Sequence, residues 1–161
     1  MKIKLTPFYC FLFFLILTTF KVSAQIKKNP TLNHLAINVF DLKKSTDFYK
    51  DIIGLKIIPE PFKDGKHSWF KIAKHSQLHI IQAATAVTEH GKNSHMCFSV
   101  ASVEAFVEIL NKNKIWYGNW LETTNMITTR PDGIKQIFLK TLMAIGLKLI
   151  MIPTNHSQDI I

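Results

Sequence analysis

The chain has 161 residues, with 20 Lys and Arg against 11 Asp and Glu, a formal charge of +9, and 47% hydrophobic residues. That length supports one domain around one core, and the hydrophobic share excludes a chain too polar to fold. The basic residues are scattered as short pairs (Lys27 and Lys28, Lys43 and Lys44, Lys112 and Lys114) rather than gathered in a stripe with exposed aromatics, so no nucleic-acid partner is expected.

The first two dozen residues have the pattern of an export signal. Lys2 and Lys4 form a basic start, Phe8 to Phe20 is apolar apart from Thr18 and Thr19, and Val22-Ser23-Ala24 offers the small residues signal peptidase needs. An uncleaved membrane anchor is the alternative, but the run is shorter than the ~20 residues a spanning helix requires. The expected organisation is a signal peptide at 1–24, an extension at 25–31, a domain at 32–153 and a tail at 154–161. Cleavage removes Lys2, Lys4 and Lys21 and no acid, which lowers the charge to about +6 and leaves no stable membrane insertion. The product is periplasmic or secreted. It keeps only Cys97, since Cys10 leaves with the leader, so packing rather than a disulfide must hold the domain.

Leu32 to Val39 alternates, with Leu35, Ile37 and Val39 on one face and His34, Ala36 and Asn38 on the other, which predicts a half-buried strand. Asp41 caps a helix with apolar positions Leu42, Phe48, Tyr49, Ile52 and Ile53, ended by Gly54. Further strands are expected at 55–58, 68–73 and 77–82, the first two of these joined through the Asp64-Gly65 turn. The order then repeats: a strand at 95–100, a helix capped by Ser102, a short strand at 115–121, a strand at 134–140 and a last one at 147–152. The order βαβββ twice over predicts an α+β fold in which paired modules form one curved mixed sheet around a cavity.

His34, His79 and His95 each share a face with polar or small neighbours, opposite the face assigned to the core. On a curled sheet three imidazoles from three strands would converge, and neutral imidazole is a good ligand for Zn, Ni, Fe or Mn. His67, His75 and His90 fall in or near turns and are read as solvated, and His156 lies in the tail.

LNHLAINVFDLKKSTDFYKDIIGLK, WFKIAKHSQLHIIQ and NSHMCFSVASVEAF resemble the corresponding segments of vicinal-oxygen-chelate (VOC) domains, the glyoxalase, bleomycin-resistance and dioxygenase family. The resemblance covers Leu32 to Lys140. It implies a divalent metal held by His34, His79 and His95, with Gln77 as a substitute for His79, and a substrate with two neighbouring oxygens. The implied pocket is completed by Asn38, Gln77, Trp69, Phe70, Cys97, Trp120 and Arg130. A homodimer is also implied, and the polar stretch Asn119 to Arg130 would act as a lid.

The family usually closes with Asp-Pro-Asp-Gly, an aromatic residue and a metal-binding glutamate. Here TLMAIGLKLIMIPTN follows Lys140, and no acidic residue occurs between Asp132 and Asp159. One set of synonymous codons for Thr141 to Thr154, read from the third base, spells Pro-Asp-Gly-Tyr-Trp-Ile-Glu-Ile-Asn-Tyr-Asp-Thr. A one-base frame shift near Thr141, altering 141–161, is therefore expected, with the glutamate falling near Lys148. No catalytic residue can be named in its absence. Two functions remain: a metal-dependent lyase, isomerase or dioxygenase impaired by that loss, or a metal-free small-molecule binder of the bleomycin-resistance kind. Trp69, Phe70, Trp116, Tyr117 and Trp120 would line a binder's groove.

Overall fold

The computed structural model describes residues 29–87, 93–140 and 146–151. The expected leader, His90, His156 and the start of the altered stretch lie outside the described residues. The chain divides into two compact units, 1–31 and 32–161, and the second carries the fold described below. No helix among the described residues is long and apolar enough to cross a membrane.

The first module runs β1 (His34–Val39), α1 (Leu42–Asp47), a π-helical turn (Phe48–Ile52), β2 (Lys56–Ile58), β3 (His67–Lys71) and β4 (Gln77–Gln82). The second runs β5 (His95–Ser99), α2 (Val103–Lys112), β6 (Thr128–Thr129), β7 (Lys135–Lys140) and β8 (Gly146–Ile150). The sheet orders are β1-β4-β3-β2 and β5-β8-β7-β6. In each, the first strand pairs in parallel with the fourth and the other pairings are antiparallel. The structure thus has the expected α+β fold of paired βαβββ modules, each module forming a four-stranded ladder on one plan.

Strand alternation explains which side is buried. Val39, Phe70, Leu78 and Ile80 of the first sheet and Ile137, Leu139, Leu147 and Leu149 of the second are 0–1% exposed. They share one core with Val103, Phe106, Val107 and Leu110 of α2. Because side chains on a strand change face at each residue, the intervening positions form an open face on each sheet.

Both helices start on the caps the sequence predicts. The Asp41 carboxylate accepts the Lys44 amide at 2.9 Å, and that bond holds its carboxyl below the usual carboxylate range. The Ser102 hydroxyl accepts the Ala105 amide at 3.1 Å. The first helix does not continue to Gly54 as a regular α-helix. Its ladder widens so that the Ile53 amide donates to the Phe48 carbonyl, five residues back, at 3.1 Å. The widened turn seats Phe48 and Tyr49 together in the core.

The expected strand at 115–121 is absent. The chain folds back there, with Gly118 bridging both Thr124 and Phe138. The Asn125 amide donates to the Tyr117 carbonyl at 3.0 Å, and β6 follows at Thr128. The Asn119 to Arg130 stretch therefore holds an ordered turn and a short strand.

Candidate functional site

The open face of the first sheet carries a ladder of rings. In register, Ala36 lies beside His79, and His79 beside Trp69. Such lateral neighbours stand one strand spacing apart, so flat side chains stack. The His79 ring lies 3.9 Å from the Trp69 indole with 3° between planes, and 4.4 Å from His34 with 10°. Phe62 extends the ladder, 6.0 Å from Trp69 and 4.7 Å from His67. His79 shares a 2.8 Å hydrogen bond between its Nε2 and Gln77 Oε1, and His34 shares one of 2.8 Å between its Nδ1 and Asn33 Oδ1. Burial, then the charges of His34 and His67, hold the His79 imidazole below its ordinary pKa, so it stays neutral more readily than a free histidine.

The open face of the second sheet repeats the plan with different chemistry. Cys97 lies beside Lys148 and Lys148 beside Phe138, in the places that Ala36, His79 and Trp69 take in the first sheet. Lys148 is thus the counterpart of His79. Its ammonium stands 5.4 Å above the Phe138 ring. His95 and Trp120 approach the same ring edge-on, at 5.9 and 5.7 Å. Burial pushes the Cys97 thiol up in pKa, opposed by the fields of Lys148 and Arg130. Arg130 is paired with Asp132 at 2.5 Å.

Of the residues predicted for the site, His34, Gln77, Trp69 and His79 come together on the first sheet, with exposed Asn38 farther along β1. His95, Cys97, Trp120 and Arg130 lie around the open side of the second. Phe70 is a correction: it is fully buried beside Leu78 on the opposite face from Trp69 and lines no groove. Tyr117 is likewise core, 5% exposed. His67 is another correction, because it is a half-buried member of β3, bonded through Nδ1 to Asp64 at 2.8 Å, rather than a solvated turn residue. Gln136 and Phe138 were missed, although the alternation of IKQIFLK already sets them opposite Ile137 and Leu139.

Doubled βαβββ modules with chemistry-bearing side chains on their open faces define a class of small-molecule domains, and residues 31–136 match the Glyoxalase/Bleomycin resistance protein/Dioxygenase superfamily. The chain belongs to that superfamily. The mitochondrial methylmalonyl-CoA epimerase of Mus musculus is 29% identical over 107 residues, so the chain spans 60% of that relative's length, using 60% of its own. Among solved structures, oxidase ChaP-H2 superposes with a TM-score of 0.65 at 20% identity, over 78% of this chain and 96% of that one. Lactoylglutathione lyase from Agrobacterium tumefaciens gives 0.56 at 16% identity, over 77% and 95%.

A divalent metal is implied by the family resemblance, and the donors can be tested against it. An imidazole nitrogen binds along a lone pair in its own ring plane, at about 2.0–2.1 Å for zinc. His34 and His79 lie in nearly parallel, stacked planes, so their lone pairs do not converge on one point. Among the described residues no group of three or more His, Cys, Asp or Glu side chains could hold an ion. At the β8 position opposite Cys97 stands an ammonium rather than a donor. The residues as arranged do not fit the expected three-histidine metal site.

Proposed function

We propose that this chain binds a small molecule on the open faces of its sheets and does not hold the divalent ion on which a VOC-type reaction would depend. The observation that carries this reading is Lys148, a cation placed at the counterpart of His79, where a metal site would require a donor. A positive charge close to a metal weakens its binding, and an ammonium has no lone pair to give. The aromatic lining supports binding: Trp69, Phe62, Phe138 and Trp120 offer flat apolar surface beside a few polar groups. The relatives carry the names of an epimerase, an oxidase and a lyase, so likeness supports small-molecule chemistry and no single reaction. Metal content after reconstitution tests the reading, since about one retained equivalent of a divalent ion would sink it.

A second reading has its own support. The family match ends at residue 136, just before the stretch for which one choice of synonymous codons spells the family's closing motif in an alternate frame. In the restored frame a glutamate falls near position 148, which lies on the open face of β8, and the product would be a metal-dependent enzyme acting on a molecule with adjacent oxygens. Sequencing the gene decides this: codons for 141–154 that cannot encode the motif in the alternate frame remove the reading.

A further inference from the structure

Lys148 is a half-buried residue whose ammonium stands over the Phe138 ring, and no carboxylate pairs with it among the described residues. The other nearby cation, Arg130, already has Asp132. A ring face attracts a cation but offers it no hydrogen-bond acceptor, so an ammonium held there without a carboxylate keeps its capacity to bind an anion. The surroundings are flat and apolar on one side: Trp120, 43% exposed, and His95 both meet Phe138 edge-on. On the other side, Gln136 Oε1 is buried and accepts no hydrogen bond within the protein. Two residues before Phe138 on β7, Gln136 lies on the same open face, roughly 7 Å along the strand by ordinary strand rise.

We infer that the open face of the second sheet is an anion subsite, in which Lys148 receives the carboxylate of a small planar acid whose body rests against Phe138 and Trp120. A hydroxyl or amine on the far side of such a ligand can donate to Gln136 Oε1. This inference rests on the reading of the open faces as the ligand surface and adds the ligand's charge and shape. Nothing in it requires a metal.

The test uses the full chain in EDTA, titrated with benzoate and with its neutral isostere benzamide, followed by tryptophan fluorescence and calorimetry. Working in chelator separates this outcome from metal content, which decides the functional reading on its own. Benzoate is expected to bind about 10-fold more tightly than benzamide, the scale of a charge-assisted hydrogen bond. That preference is expected to vanish in Lys148→Gln and to persist in Lys148→Arg, which keeps the charge and controls for loss of fold. Equal binding of the two probes, no saturable binding of benzoate, or an unchanged preference in Lys148→Gln would overturn the site.

Discussion

At the scale of single residues, Tyr49 shows how burial and polarity conflict in this core. Its ring is 2% exposed, set at 5.3 Å against Phe48 and 6.2 Å against Phe70, while its hydroxyl has no hydrogen-bond partner. The same burial pushes the phenol far above its ordinary pKa. A buried hydroxyl left without a partner costs about 1–3 kcal/mol of desolvation. Tyr49→Phe keeps the ring contacts and removes that cost, so it should stabilise the fold by about 1 kcal/mol, seen as a rise in Tm of about 4 °C. A fall in Tm would show that the hydroxyl has a partner of its own. On the surface, the Glu104 carboxylate is drawn down to about 2, mainly by Lys135, tying α2 to β7. Residue identity in the site was readable to the extent that phase revealed it. His34, His79 and His95 were found by alternation, while His67 was hidden by the Asp64-Gly65 turn signal three residues before it.

At the scale of elements, capping and alternation were legible because they are local. Asp41 and Ser102 sit one residue before the helices they start, and β4 and β7 follow two-residue periodicity, while in β1 only the C-terminal half does, because Leu35, expected on the core face, is exposed. The segment 115–121 misled for a physical reason. IWYGNWL is apolar enough to read as a strand, yet Gly118 permits a backbone approach that bends the chain. A Cβ there would lie 2.7 Å from the Thr123 carbonyl oxygen and 2.8 Å from the Trp116 ring. Glu122 and Asn125 then adopt φ of 62° and 58°, the left-handed turn values that break a strand. Gly118→Ala should therefore cost about 1–3 kcal/mol, since a backbone oxygen cannot swing aside as a side chain can. A urea midpoint equal to that of the parent would contradict this account. Widening of the first helix at Phe48 had no sequence signal, because apolar spacing alone does not distinguish four-residue from five-residue ladders.

At the scale of the whole molecule, the doubled βαβββ plan follows from element order, and both sheets keep it. The β8 strand forms even though its residues depart from the family's closing motif. Leu147 and Leu149 still alternate with Lys148 and Ile150, and both leucines are 0% exposed. The strand forms because its buried face is apolar, while its open face carries Lys148. What the sequence could not disclose was the register within each ladder, which makes Lys148 the structural counterpart of His79. That counterpart relation comes from register, which pairs residues some forty to fifty positions apart and leaves no local trace. The central claim is that this one cation turns a metal-binding plan into a metal-free binding surface. Its most direct test compares the chain with Lys148→Glu after reconstitution with zinc, nickel, manganese or ferrous ion and removal of excess. The account predicts less than about a tenth of an equivalent in the parent and a clear rise in Lys148→Glu, whereas about one equivalent held by the parent would contradict it.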